Sequence, residues 1–96
     1  MDTQPLKAES DSTLDGAFHR AFEDVQQLPI RPDNSTLLEL YGLYKQGSEG
    51  DVSGDKPGFF DFVGVAKYEA WEKWQGTHPD TAKQRYIELV DQLKAP

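Results

Sequence analysis

The sequence contains no cysteine. That excludes a disulfide framework, a thiolate nucleophile and a cysteine-ligated zinc, and it suits a reducing compartment, so the expected location is the cytoplasm. No apolar run approaches the ~20 residues that a membrane span requires, and the N-terminus shows no apolar targeting core. Stable membrane insertion is therefore not expected. Cations are scarce too: 10 Lys and Arg stand against 17 Asp and Glu, a net charge of −7. Duplex binding relies on many cations neutralising phosphates, so this balance argues against nucleic acid as a partner. A small anion is a different case, because it feels only the charges within a Debye length of ~8 Å. A local pair such as Lys45 with Lys67 can serve it inside an acidic chain.

Catalytic signatures are missing as well. There is no glycine-rich phosphate loop of either common type and no HExxH, and the serines lie in tail, cap or loop sequence. His19 and His78 are isolated and read as surface residues. Asp51, Ser53 and Asp55 have the odd-position spacing of a calcium loop, but Lys56 stands where glycine is needed and Phe62 where a bidentate Glu closes the loop. Solvated loop acids fit these residues better. No catalytic residue, metal or cofactor is expected.

What the chain does contain is helical periodicity. At 96 residues it makes one domain, able to bury roughly 60–70% of its unfolded surface. Residues 1–12 are polar, hold Pro5 and show no period, which reads as a mobile tail, with the domain proper over 13–96. Over 13–28, Leu14, Phe18, Ala21, Phe22, Val25 and Leu28 recur at threes and fours and predict a first helix, broken by Pro29 and Pro32. Asp33 to Thr36 offer four caps in a row, and Thr36 with Glu39 has capping-box spacing, so a second helix is expected from there to about Gln46.

Residues 46–61 hold four glycines, a proline and four acids, and a connection of about 15 residues is long for a compact domain. Extended, it reaches farther than a helix of similar residue count, so it can return along the second helix and leave the second and third parallel. Asp61 caps a third helix with Ala66, Ala70, Trp71 and Trp74 as its stripe, and Gly76 stops it. A fourth begins at 77–80, with Pro79 in its first turn. The fold class is all-α, most simply a four-helix bundle.

The stretch 37–46 concentrates the functional signal. Tyr41, Tyr44 and Lys45 sit at i, i+3 and i+4 and share one face of the second helix. A phenol and an amine need polar partners once they leave water, so a structural helix would place Leu or Ile there. A face that is apolar at Leu37 and Leu38 and polar at Tyr41, Tyr44 and Lys45 suits a ligand with a greasy end and an anionic end. The competing reading is a core tyrosine with a snorkelling lysine.

Taken in order, Tyr41-Gly42-Leu43-Tyr44-Lys45-Gln46, Gly50-Asp51, Lys56-Pro57-Gly58, Asp61-Phe62, Gly64, Ala66-Lys67-Tyr68, Ala70-Trp71, Trp74, Gly76-Thr77 and Tyr86-Ile87 resemble the acyl-CoA-binding protein family. The resemblance spans roughly residues 14–93. It implies an up-down-down-up four-helix bundle with a long loop between helices two and three, binding long-chain acyl-CoA without transforming it, as a cytoplasmic monomer. It also implies roles. Tyr41, Lys45 and Lys67 match positions that hold the ribose 3′-phosphate and adenine, Tyr44 and Tyr86 match positions lining the CoA and thioester region, and Leu37 and Leu38 fall where the acyl groove begins.

The departures lie on the ligand side. Gln26, Val63 and Val65 replace lysines common in the family, and either the cationic rim is thinner or Arg31 and Lys73 compensate. The competing reading of the two valines is that they pack under the aromatic loop and never face ligand. Tyr68 keeps an aromatic where Trp is usual, and Phe22 is bulkier than the small residue often found there, with the capacity to shorten the groove. The alternative function is a helical interaction module holding an amphipathic peptide, which an apolar groove lacking convergent Lys and Tyr would favour.

Overall fold

Each helix begins where a side chain accepts one of its unpaired backbone amides. In the computed structural model, which describes residues 13–95, helix α1 covers Leu14–Val25, α2 Asn34–Glu49, α3 Phe62–Glu72 and α4 Pro79–Lys94. The proposed tail over 1–12 lies outside the described residues. Thr13 Oγ1 accepts from Gly16 N at 3.0 Å and Asp61 Oδ1 from Gly64 N at 2.9 Å. His78 Nδ1 accepts from Asp80 N at 3.0 Å, one residue before Pro79, whose missing amide leaves nothing unsatisfied in the first turn.

Helix boundaries differ from the sequence pattern in several places for physical reasons, and α3 for its part ends at Glu72, before Gly76. Helix α2 is capped by Asp33, not by a Thr36–Glu39 box: Asp33 Oδ1 accepts from Thr36 N at 2.8 Å and from Ser35 Oγ at 3.2 Å. A carboxylate both accepts these bonds and meets the positive end of the helix dipole, which a threonine hydroxyl cannot match. Helix α1 ends at Val25 and not at Leu28. Its last amides switch to i→i+3 bonds, Gln27 N to Asp24 O at 3.0 Å among them. Pro29 disfavours helical backbone at Leu28 and tightens the exit.

Contacts at both ends of each helix pair define the direction of packing. Lys83 reaches Asp15 at 2.6 Å and Lys94 reaches Asp24 at 2.9 Å, so α1 and α4 run parallel. Gln46, late in α2, bonds Thr77 just before α4, while Glu39, earlier in α2, shares a hollow with Glu88 and Gln92; α2 and α4 are antiparallel. Gly42 abuts Ala70, and Leu37 and Leu38 face Phe62 and Val63, so α2 and α3 are parallel. The result is an up-down-down-up bundle. Its core is Phe18, Ala21, Leu40, Leu43, Ala82, Tyr86 and Val90, drawn from α1, α2 and α4. Among the described helices, α3 packs against α2 alone.

The long loop returns beside α3. Trp71 Nε1 donates to Gly50 O at 2.7 Å, Tyr68 OH to Gly54 O at 3.2 Å, and Lys56 Nζ pairs with Glu69 at 2.8 Å. At its start, Asp51 Oδ1 accepts from Gly76 N at 2.8 Å and Gln46 Nε2 at 2.9 Å, and the same Gln46 amide donates to Thr77 O at 2.7 Å. Gln46 is only 1% exposed, and both its partners are acceptors, so its amide nitrogen must face them. Asp51 is exposed, as a solvated loop acid would be, and in addition it joins α2, the loop and the α3–α4 turn.

The bonds from Gly76 and then Gln46 hold the Asp51 carboxyl below the usual carboxylate range. Its ionised form is favoured by folding, so its contribution is complete above about pH 4 and is lost as pH falls through the lowered folded value. A carboxyl NMR titration should find Asp51 titrating below the usual carboxylate range, and Asp51→Asn should flatten the acid limb of the melting profile. An unshifted midpoint would remove Asp51 from this junction.

Candidate functional site

Parallel packing of α2 and α3 turns the i, i+4 rows of both helices toward one groove. Its hollow, about 490 Å³, is lined by Leu37, Leu38, Tyr41 and Asn34 from α2, Phe62, Val63, Ala66 and Lys67 from α3, and Arg31 from the segment before α2. This volume falls within the range of small-molecule sites. Leu37, Leu38 and Ala66 make it apolar at one end. One turn farther, Lys67 Nζ stands 5.3 Å from the Tyr41 ring centroid, and a further turn along α2 Lys45 Nζ stands 4.7 Å from the Trp71 ring. Along α2 and α3 successive rungs thus run from apolar to cationic, with Arg31 as a further cation at the apolar end.

The state of these cations matters for chemistry. Among the described residues Lys67 and Arg31 have no carboxylate partner, whereas Lys45 pairs with Glu49 one turn away. That pair is partly exposed and worth only about 0–1 kcal/mol, so a phosphate can displace it at small cost. Two other hollows lack such free donors. In the one of about 480 Å³ between the ends of α1 and α4, Lys94 is paired with Asp24; in the one of about 560 Å³ beside Phe59, Lys56 is paired with Glu69. No cluster of metal-ligating side chains occurs among the described residues.

The residues singled out in the sequence divide between two places. Arg31, Leu37, Leu38, Tyr41 and Lys67 meet at the α2–α3 groove, with Lys45 on the adjoining turn. Tyr44 and Tyr86 lie instead in an aromatic cluster shared by α1, α2 and α4. Tyr44 stacks on Phe18 and Phe22 at 5.3 and 4.8 Å, and Tyr86 meets Phe18 edge-on at 5.2 Å. Phe22 is thus engaged with Tyr44 and does not line the groove. Gln26 donates to Phe22 O at 3.0 Å, turning back onto its own helix. Lys73 lies over Trp74 and not at the groove, so Arg31 alone of the two compensating cations reaches it. The valines part company: Val63 is exposed and lines the groove, while Val65 is half-buried near Pro57 and Phe59.

Groove residues that the sequence reading did not place against ligand are Asn34, Phe62 and Ala66, with Val63 known there only as a lost lysine. The available signal was spacing, since Val63 is one turn before Lys67.

Tyr86 is 2% exposed, and burial, with Tyr44 adding to it, pushes its phenol up to about 12. The unfolded chain loses that proton near pH 10. Stability is therefore unaffected below about pH 10 and falls as pH rises toward 12. Ultraviolet titration at alkaline pH should resolve one late tyrosine, absent in Tyr86→Phe; four phenols titrating together would contradict its burial.

Comparison with known proteins places the chain among similar ones. The family model described as Acyl CoA binding protein matches residues 15–90. The chain is 44% identical over 79 residues to "Acyl-CoA-binding protein homolog 1" of Caenorhabditis elegans, covering 82% of this chain and 92% of that one. It is 45% identical over 78 residues to the "Acyl-CoA-binding protein" of Saccharomyces cerevisiae, covering 81% and 90%. The crystal structure of Oryza sativa Acyl-CoA-Binding Protein 2 superimposes with a TM-score of 0.80 at 36% identity, over 83% of this chain and 87% of that one. For the solution structure of the yeast protein the TM-score is 0.65 at 45% identity, over 79% and 88%.

Proposed function

The chain belongs to the acyl-CoA-binding protein family, and from that premise we propose that it binds, buffers and carries long-chain fatty acyl-CoA esters without transforming them, as a cytoplasmic monomer needing no cofactor. The observation that carries this reading is the gradient along the α2–α3 groove, from Leu37, Leu38 and Ala66 to Tyr41, Lys67 and Lys45. It suits an amphiphile with an apolar tail and a phosphorylated head. Lys67 and Lys45 each supply a charge-assisted hydrogen bond to phosphate, worth ~1.5–3 kcal/mol. Tyr41 contributes a phenol donor and a ring face. Burial of the tail adds ~0.8 kcal/mol per methylene taken from water, so affinity climbs with chain length until the groove fills.

Tyr44 and Tyr86 act in this reading as an aromatic wall, with the Tyr44 edge available to the head group. Arg31 steadies the groove end beside Leu37. The convergence of Tyr41 and Lys67 on one hollow disfavours the peptide-groove alternative.

Calorimetric titration with palmitoyl-CoA, palmitate and CoA tests the proposal. Palmitoyl-CoA should bind tightest by a wide margin, CoA weakly and palmitate weakly, and no CoA thiol should be released on incubation. Equal affinity for palmitate and its CoA ester would overturn it.

A further inference from the structure

The up-down-down-up arrangement gathers the exposed apolar side chains at one end of the bundle. The segment before α2 and the start of α3 both lie there, and they carry Ile30, Phe59, Phe60, Phe62 and Val63, which are 81, 75, 85, 74 and 68% exposed. Among the described residues only Phe22, which stacks on Tyr44, is a large exposed apolar side chain elsewhere. Phe59 and Phe60 meet edge to face at 4.7 Å, so they project as one aromatic wedge and not as two independent loop residues. Leaving such a wedge in water forgoes several kcal/mol of burial, and contiguous exposed patches of this kind mark interaction surfaces.

What covers it is indicated by its neighbours. The wedge adjoins Phe62, and Phe62 and Val63 line the apolar end of the groove, so patch and groove are continuous. Arg31 and Lys67 stand at the same groove without a carboxylate partner among the described residues. Exposed aromatics beside free cations match the boundary of a bilayer, where rings sit at headgroup level and cations meet lipid phosphate. No described helix is long and apolar enough to cross a membrane, so the contact is peripheral. The net charge of −7 disfavours a strongly anionic surface and leaves a zwitterionic one.

We propose that this end of the bundle docks on a zwitterionic lipid surface through Phe59 and Phe60, setting the apolar mouth of the groove against the bilayer. The inference rests on the acyl-CoA reading for its purpose: an ester rising head-first meets Lys67 and Lys45 farther along the groove while its tail follows past Val63 and Leu38.

The test uses the full chain with sonicated phosphatidylcholine vesicles. Sedimentation with vesicles should fall roughly tenfold or more in the Phe59→Ser, Phe60→Ser double variant, while palmitoyl-CoA binding in vesicle-free buffer and the circular dichroism stay as in the parent. Should the double variant misfold, Phe60→Trp supplies a second readout, a blue-shifted emission on adding vesicles beyond that of the parent. Unchanged sedimentation, or no Phe60→Trp shift, would overturn the docking. Light scattering that finds a dimer abolished by the double variant, with no vesicle binding, would assign the patch to a second copy and overturn it as well. Vesicle binding with no palmitoyl-CoA binding would instead sink the ligand reading and leave the docking surface standing.

Discussion

Gly42→Val is expected to lower the unfolding free energy by about 3 kcal/mol or more and to abolish ligand binding. A Cβ on Gly42 would lie 2.2 Å from Ala70 O and 2.7 Å from Ala70 C, both backbone atoms, and 3.1 Å from Trp74 Cδ1. Neither backbone atom can swing aside, so α2 and α3 must separate. The gain of about 1 kcal/mol from removing a helical glycine cannot offset this. Because α3 packs on α2 alone among the described helices, the damage should concentrate there. Urea denaturation gives the size of the effect, and loss of the Trp71 indole resonance, now bonded to Gly50 O at 2.7 Å, reports its place. Gly47 provides the contrast. Its added Cβ would meet the flexible Lys83 Cγ at 3.0 Å and the Phe18 ring at 3.2 Å, so Gly47→Ala should cost less. Parental stability in Gly42→Val would refute the close approach.

Lys67→Ala is expected to weaken palmitoyl-CoA binding by about 2 kcal/mol, some thirtyfold, while shifting stability by less than about 1 kcal/mol. In the free protein Lys67 is exposed and, among the described residues, makes only the ring contact with Tyr41, worth ~0.5–1 kcal/mol at such a site. Facing a phosphate it becomes a charged donor. Lys45→Ala should lose a similar amount of binding, with a somewhat larger effect on melting because Lys45 also covers the buried Trp71. Both losses should shrink at high salt, where exposed charges are screened. Calorimetry at two ionic strengths beside urea melts separates the effects. A stability loss matching the binding loss would make these lysines structural.

The features legible in the chain were those set by near neighbours. Periodicity exposed the four described helices, and Asp61 and Pro79 announced two of their starts because a cap or a first-turn proline acts over a few residues; α3 stops at Glu72, short of Gly76, whose φ of +87° turns the chain toward α4. Helix α2 was read as ending near Gln46 because Gly47 is a poor helix former. It continues to Glu49, where Gly47 relieves close packing against Lys83 and Phe18, and it ends at Gly50, whose φ is +83°. The junction at Asp51 was invisible for a different reason: its partners Gln46 and Gly76 come together only through tertiary folding.

The groove was half legible. The apolar-to-polar face from Leu37 to Lys45 could be read from one helix, and the loop's reach made parallel α2 and α3 available. That Lys67 lies over Tyr41, and that Val63 faces the groove while Val65 does not, depends on the rotation of α3 against α2. No local pattern encodes that rotation. Close contact at Gly42 and Ala70 does.

The most direct measurement is a set of intermolecular NOEs between isotope-labelled protein and unlabelled palmitoyl-CoA. Acyl methylenes should contact Leu37, Leu38 and Ala66, and the adenosine protons should contact Tyr41 and the Lys67 side chain. NOEs from the acyl chain to Leu28, Ile30 and Leu93, at the hollow between α1 and α4, would contradict the assignment of the α2–α3 groove.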